Sequence, residues 1–80
     1  MNELLKFVIK AIVDHPDDIH VEERMVSENM YNYTITTNPE DMGKVIGKEG
    51  KIIQAIRNLA KILAIKHGHQ VRVELSQNPL

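Results

Sequence analysis

The sequence predicts an α+β domain in which a three-stranded mixed sheet carries its helices on one face. The 80 residues suffice for one domain spanning the whole chain and are too few for two. Apolar residues recur with a helical period in residues 2–14 and 51–66, and they alternate with polar residues in three other segments. The resulting order is helix, strand, strand, helix, helix, strand. A helical crossover between the second and third strands permits a parallel pair, which makes the sheet mixed.

The composition is that of an ordinary folded protein. Hydrophobic residues make up 42% of the chain and charged residues 26%, so disorder is not expected. The absence of cysteine excludes a disulfide framework, a thiolate zinc site and a cysteine nucleophile, and it favours an intracellular protein. Lysines interrupt the apolar segments, so no transmembrane helix and no membrane association are predicted. Residues 1–13 lack the cleavage site of a signal peptide.

The first half of the chain predicts a helix followed by a hairpin. The helix spans residues 2–14 and ends before Pro16, because the residue that precedes a proline is disfavoured in the helical region. Residues 19–37 predict two antiparallel strands with a turn near residues 27–29. Tyr31 and Tyr33 share one face of the second strand. Core packing is their favoured role, and stacking on bases is the alternative.

The second half predicts two consecutive helices and a last strand. Asn38 and Pro39 are typical of a helix start, and the helix that follows is short because Gly47 and Gly50 interrupt it. A long helix is expected over residues 51–66 and ends at Gly68. Its predicted apolar face is formed by Ile52, Ile56, Leu59 and Leu63. Residues 69–75 predict the last strand, and the tail at residues 76–80 is expected to be frayed.

Charge is divided unevenly along the chain, although the net charge is only −1. Residues 1–43 carry nine acidic and three basic residues, a net charge of −6, whereas residues 44–72 carry seven basic residues and one acid, a net charge of +6. This asymmetry indicates a basic face that meets an anion. A solvated, lysine-rich helix is the alternative that charge alone leaves open.

The most informative segment is residues 45–56, in which Gly47 and Gly50 lie between the two predicted helices. Glycine permits positive φ and the close approach of a foreign backbone. We expect the peptide N–H groups of residues 50–52 to begin the long helix unpaired, which with Lys44, Lys48 and Lys51 forms an anion site.

An apolar surface is expected beside this loop, formed by Val45, Ile46 and Ile53. A row of cations next to an apolar groove suits one extended nucleic-acid strand, because the phosphates contact the cations and the base faces enter the groove. A plain helical corner, in which the glycines only permit the bend, is the competing interpretation.

These residues resemble a known family. Residues 46–56 match the I-G-x-x-G-x-x-I-x-x-I core of the KH domain, a module that binds RNA and single-stranded DNA. The predicted order of elements is similar to the type II, prokaryotic KH fold. Residues 40–47 further resemble the small bacterial single-KH proteins of the KhpA family. The resemblance covers nearly the whole chain.

The resemblance implies a cytoplasmic, non-catalytic RNA-binding protein without a cofactor, whose loop clamps about four nucleotides of single-stranded RNA, with single-stranded DNA as the alternative. It further implies a homodimer, or a heterodimer with a larger KH protein of the KhpB/Jag/EloR type, and a link to post-transcriptional regulation, cell elongation and cell division. Glu49 departs from the many relatives that have a basic or neutral residue there, which leaves Lys48 as the main cationic tip. The expected nucleic-acid contacts are Lys44, Val45, Ile46, Gly47, Lys48, Glu49, Gly50, Lys51 and Ile53.

Other functional classes find less support in the sequence. A nucleotide-binding P-loop would need glycine at position 48, which is lysine. His67 and His69 lack a third metal ligand nearby, so no metal site is predicted. The adjacent acids at residues 17–18 and 22–23 are expected to be solvated, and no nucleophile has a patterned base, so an enzyme is not predicted.

A protein-interaction module is the second functional hypothesis. Apolar positions of the long helix cover about 200° of the helical wheel, whereas packing on one sheet needs about 100°. We therefore predict that Leu59, Ile62 and Ile65 form a self-complementary dimer surface.

Overall fold

The computed structural model describes residues 2–76, and it has the predicted fold class and order of elements. Short 3₁₀ turns precede β1, α2 and α3, at residues 16–18, 39–41 and 48–50. The order α-β-β-α-α-β is that of the type II KH fold. The regular elements are α1 (Asn2–Lys10), β1 (His20–Ser27), β2 (Met30–Thr36), α2 (Met42–Ile46), α3 (Lys51–Lys66) and β3 (Gln70–Leu75).

The sheet has the strand order β1-β2-β3, with β1 antiparallel and β3 parallel to β2. In this register Glu23, Tyr33 and Val73 form one row across the sheet. Tyr33 and Val73 are buried, as is Ile35 two residues along β2. Because side chains alternate along a strand, these residues lie on the face that packs against the helices. Core packing is thus the role the structure gives to Tyr33, whereas Tyr31 is only partly buried against the core.

The first helix is shorter than the sequence predicts: α1 ends at Lys10 rather than at residue 14. Beyond Lys10 the N–H of Ala11 still donates to the carbonyl of Phe7, and those of Ile12 and Val13 donate to the carbonyl of Ile9, so Val13 reaches the core. Beyond Val13, however, the N–H groups of Asp14 and His15 donate to the side chain of Asp41. Hydrogen bonds to a distant side chain therefore replace those that would have continued the helix. Helix propensities do not predict such a tertiary contact.

The long helix has the predicted bounds but presents a different face to the sheet. Its buried residues are Ile53, Ile56, Ala60 and Ala64, whereas Ile52 and Leu59 are each 37% exposed. Of the predicted apolar face only Ile56 is buried, and Leu63 is partly exposed. The two alanines leave room for α3 to lie close to the strands, so the larger aliphatic residues stay at its side. The apolar arc is wide enough to accommodate either orientation, which is why periodicity selected the wrong one.

Gly68 terminates α3 as predicted. It has a φ of +76°, and the N–H of His69 donates to the carbonyl of Ala64 over 2.8 Å, the reverse turn typical of a helix C-terminus. The last strand begins at Gln70, one residue later than predicted. Of the tail predicted to fray, Ser76 donates its N–H to the carbonyl of Ile35, and residues 77–80 lie outside the described residues. Within residues 2–76 no helix has the length and apolar character needed to cross a bilayer.

Candidate nucleic-acid interface

The loop between α2 and α3 is a tight turn that depends on Gly47. The N–H of Gly47 donates to the carbonyl of Gly43 over 2.9 Å and ends α2, while its own carbonyl accepts from the N–H of Gly50 over 3.1 Å. Gly47 has φ +78° and ψ 175°, which side chains rarely allow. A Cβ at this position would overlap Cγ1 of Ile52 and lie 2.9 Å from the backbone nitrogen of that residue. The loop is therefore packed directly against the first turn of α3.

Glu49 adopts a left-handed conformation, with φ +58° and ψ 26°, and it is the only non-glycine residue with positive φ among residues 2–76. This region is disfavoured for a glutamate and more acceptable to asparagine, aspartate or glycine. Gly50 follows with φ +74° and open space where its Cβ would be. Together these backbone angles turn Lys48 and Glu49 outward, and both are exposed.

The N–H groups that the loop presents differ from those expected from the sequence. The N–H of Gly50 donates to the carbonyl of Gly47, and the N–H of Lys51 donates to the carbonyl of Lys48. These two groups are therefore not unpaired, contrary to the expectation. The N–H groups of Lys48 and Glu49 occupy the first positions of the 3₁₀ turn, where the turn itself offers no acceptor. The candidate anion site thus lies at the tip of the loop rather than at the start of α3.

The three lysines around the loop differ in their surroundings. Lys44 Nζ lies 3.0 Å from Oδ2 of Asp14, and the hydrogen bond to this carboxylate raises the pKa of Lys44. Lys51 Nζ lies 3.9 Å from Oε1 of Glu49. Lys48 forms no ion pair with any described residue. All five side chains are exposed enough to exchange partners with a phosphate. In the absence of a ligand, however, Lys48 is the lysine most available to one.

The apolar surface predicted beside the loop is mostly absent. Val45 is fully buried and Ile53 is nearly so, because both belong to the core. Only Ile46, which is partly buried against the core, keeps accessible surface, and Ile52 adds to it. Val45 and Ile53 support the loop from beneath. Their predicted contact with a nucleic acid stays a prediction.

A groove that the sequence analysis did not predict lies between α3 and β3. It has a volume of about 430 Å³ and is lined on the helix by Gln54, Arg57, Asn58 and Lys61 and on the strand by residues 71–74. Arg57 Nε donates to the carbonyl of Val73 over 3.1 Å and holds the two walls together. The signal was present in the sequence, because these four residues recur at the helical period on the polar side of α3.

The lining of this groove is polar and mainly cationic. Arg57, Lys61 and Arg72 contribute positive charge, and Glu74 lies 3.1 Å from the Nε of Arg72. The amides of Gln54 and Asn58 supply both donors and acceptors. Such a lining suits the polar edges of unpaired bases, whereas the predicted apolar groove would have contacted only their faces.

The exposed apolar residues of α3 fall into two groups. Ile52, Ala55, Leu59 and Ile62 follow the three-and-four spacing of a coiled-coil seam, and Ile62 is 64% exposed. We call these four residues the α3 stripe. Ile65 lies about 120° around the helix from Leu59 and lines a separate cavity with Met30 and His69. The three residues predicted for the dimer surface are therefore all exposed but do not form one line.

Comparison with known proteins identifies the family. The KH domain of KhpA and KhpB matches residues 2–75. The curated RNA-binding protein KhpA of Clostridium perfringens is 45% identical over 75 residues, which cover 94% of this chain and 99% of the relative. The KhpA proteins of Caldanaerobacter subterraneus and Listeria monocytogenes are 47% and 36% identical over 75 residues, covering 94% of this chain and 99% and 97% of their own lengths. No solved structure matches the chain significantly. The resemblance seen in the loop thus extends through the described fold, and the chain belongs to the KhpA/KhpB family of KH domains.

Proposed function

We propose that this chain is a non-catalytic protein that binds single-stranded RNA through the loop Gly47–Gly50 and the groove between α3 and β3. The observation that carries the proposal is that both features lie on α3, the loop at its N-terminus and the groove along its polar side. Gly47 packs against Ile52, so the loop is held at the N-terminus of α3, and the groove begins at Gln54 in the first turn of the same helix. In this proposal a strand whose backbone binds the loop places its bases in the groove.

The loop suits a phosphate and the groove suits bases. The N–H groups of Lys48 and Glu49 and the ammonium of Lys48 are the donors that the tip of the loop offers to phosphate oxygens. Lys44 and Lys51 exchange their carboxylate partners for phosphates when the strand arrives. The clamp therefore extends over about four nucleotides, as in other KH domains. Single-stranded DNA is the competing ligand, since the groove presents no group dedicated to a 2′-hydroxyl.

A binding titration with mixed single-stranded RNA at several salt concentrations tests this proposal. Each phosphate contact on a single strand contributes a slope of about −0.7 in log K against log salt, so three lysines give about −2 and Lys48 alone gives about −0.7. Lys48→Ala flattens the slope by about 0.7. Lys10→Ala, an exposed lysine on α1, serves as the control and leaves the slope unchanged. A wild-type slope near zero contradicts the proposal and favours a protein-interaction module.

We further propose that the chain acts as a dimer through Leu59 and Ile62 of the α3 stripe. The stripe is apolar, exposed and spaced as a helix-pairing seam, which supports an isologous contact around a two-fold axis. A homodimer places two loops on one RNA strand, where avidity exceeds the affinity of either loop. A larger KhpB/Jag/EloR-type protein with its own KH domain is the proposed heterodimer partner. A cytoplasmic role in post-transcriptional regulation, linked to cell elongation and division, accompanies this proposal.

A further inference from the structure

A second cavity lies at the opposite end of α3 from the loop. It has a volume of about 350 Å³ and is lined by Leu63 and His67 near the end of α3, by His69 before β3, and by side chains of the sheet. The 16 residues of α3 span about 24 Å, so this cavity is separate from the clamp. Its volume is at the lower limit of small-molecule sites, which suits a single ring system.

A carboxylate forms the polar end of this cavity. Glu23 is paired in register with Tyr33, whose Oη donates to Oε1 of Glu23 over 3.2 Å. Burial of Tyr33, together with the charge of Glu23, raises the pKa of that phenol to about 12, so the hydroxyl remains a donor at neutral pH. The second carboxylate oxygen of Glu23 has no hydrogen bond to any residue between 2 and 76, and the side chain is exposed at the cavity. Glu23 therefore offers acceptors and no donor.

Aromatic rings form the side of the cavity. Tyr31 and His69 meet edge to face, with ring centroids 5.1 Å apart and planes at 89°. Nδ1 of His69 is buried without a hydrogen-bond partner in the described part of the chain. Because that nitrogen is buried, His69 lines the cavity with its ring and not with Nδ1. Rings and aliphatic side chains around an acceptor fit a planar heterocycle that carries donors.

We propose that this cavity binds a guanine base, with the carboxylate of Glu23 accepting from the ring and exocyclic N–H groups of guanine. Guanine presents two adjacent donors on its Watson–Crick edge, which match the two oxygens of a carboxylate. Adenine and cytosine present one amino group next to an acceptor nitrogen, and uracil presents one N–H flanked by carbonyls, so each brings an acceptor against Glu23. Two sources supply the same base: a more distant nucleotide of the bound RNA, in which case the inference rests on the proposed function, or a free guanine nucleotide.

The surface between the clamp and this cavity favours the RNA as the source. An intervening cavity of about 450 Å³ shares Lys61 and Val71 with the groove between α3 and β3, and it shares His69, Gln70 and Val71 with the guanine cavity. The three cavities therefore adjoin one another through shared lining residues. Lys61 lines both the groove and the intervening cavity and offers a phosphate contact between them.

The test uses uridine decamers in which a single guanosine is moved through every position, measured by fluorescence anisotropy with the full chain. We expect one position, outside the four-nucleotide clamp, at which guanosine tightens binding about tenfold, within the range for a bidentate base contact. Glu23→Gln keeps an acceptor for Tyr33 and abolishes this gain while the affinity for all-uridine RNA is unchanged. Glu22→Gln, the neighbouring carboxylate on the other face of β1, is the matched control and retains the gain.

The outcomes distinguish bound RNA from a free nucleotide as the source of the guanine, and they distinguish failure of the guanine site from failure of the RNA clamp. Guanosine monophosphate binding that Glu23→Gln abolishes, without a positional gain in the decamers, assigns the site to a free nucleotide. If the wild type binds all decamers equally and does not bind guanosine monophosphate, the guanine site is overturned and the RNA clamp stands. If no RNA binds, the proposed function fails. The titration with guanosine monophosphate then decides whether the cavity binds guanine. Circular dichroism checks that each variant is folded. If Glu23→Gln unfolds, His69→Ala replaces it, and this variant should also lose the tighter binding that guanosine gives.

Discussion

Nδ1 of His15 lies 3.1 Å from Oδ2 of Asp41, a carboxylate that is completely buried. The same oxygen accepts the backbone N–H of His15 over 2.9 Å, and Oδ1 accepts that of Asp14 over 3.2 Å. These bonds join the segment after α1 to the residue before α2. Since α2 leads directly into the loop Gly47–Gly50, Asp41 fixes the approach to the candidate clamp.

The His15–Asp41 pair predicts a stability maximum in mildly acidic solution. Burial opposes the charge of Asp41, but the hydrogen bonds from Asp14 and His15 outweigh it and lower the pKa of Asp41 below its usual 3.8. The stability that the ionised Asp41 contributes to the fold is therefore complete above pH 3.8. It is lost as the pH falls through the lowered pKa of Asp41. The hydrogen bond to Asp41 raises the pKa of His15 above 6.5. The stability that protonated His15 contributes is therefore complete below pH 6.5 and is lost as the pH rises through the raised pKa of His15.

Thermal melts from pH 3 to 9 check this prediction, with the highest Tm expected between about pH 4 and 6.5. His15→Ala should lower the Tm and remove the decline on the alkaline side. His20→Ala, an exposed histidine at the start of β1, is the control and should keep that decline. A His15→Ala profile parallel to that of the wild type at every pH would show that the pair does not carry the dependence.

The two loop glycines should differ in their tolerance of alanine. Gly47→Ala combines a positive φ with an overlap against Ile52, so we expect a loss of at least about 2 kcal/mol in the free energy of unfolding. Gly50→Ala has a positive φ but open space around its Cβ, so the expected loss is about 1 kcal/mol. Urea denaturation of both variants measures the difference. Equal losses would mean that the contact with Ile52 does not shape the loop.

The tip of the loop can be inverted in charge without loss of folding. In Lys48→Asp with Glu49→Asp both glycines remain, and aspartate tolerates the left-handed conformation of residue 49 better than glutamate. Unfolding free energy should change by no more than about 0.5 kcal/mol, because both side chains are exposed. RNA affinity should fall further than in Lys48→Ala, since repulsion is added to the lost attraction. Unchanged melting together with unchanged RNA affinity would refute the role of the loop.

Local patterns predicted most of the fold because the elements have local causes. The side chain of Asn38 accepts the N–H of Glu40, and Gly68 ends α3, as expected from residue type alone. The groove lining and the buried face of α3 were not predicted, because they depend on how closely Ala60 and Ala64 let the helix approach the sheet. The periodicity of the sequence does not determine the distance between α3 and the sheet.

The surface position predicted for Val45 and Ile53 was wrong for a related reason. The sequence assigned Val45 and Ile53 to a surface, although both are needed to fill the core beneath the loop. A core of this size contains few large side chains, so each apolar residue near a loop is more often structural. The pairing of Lys44 with Asp14 was equally hidden, since 30 residues separate them and only the tertiary fold brings them together. It removes part of the charge that the sequence placed at the loop.

The α3 stripe predicts dimerisation that one substitution should abolish. Ile62 is 64% exposed, so Ile62→Asp places a charge in the proposed seam without opening a cavity in the core, and its free energy of unfolding as a monomer should change by no more than about 0.5 kcal/mol. Sedimentation velocity should show a dimer for the wild type and a monomer for the variant. Phe7→Asp is the matched control, because Phe7 is a larger and even more exposed apolar residue on α1, and this variant should remain dimeric.

Ile65→Asp separates the two groups of apolar residues on α3. If the seam is the α3 stripe, this variant should also remain dimeric, because Ile65 lies off the line that joins Leu59 and Ile62. If it dissociates, the originally predicted set of three residues describes the interface better. Loss of the dimer in Ile62→Asp should weaken binding to long RNA more than to a tetranucleotide, since only a long strand engages two loops at once. A wild type that sediments as a monomer at high micromolar concentration would refute the dimer altogether.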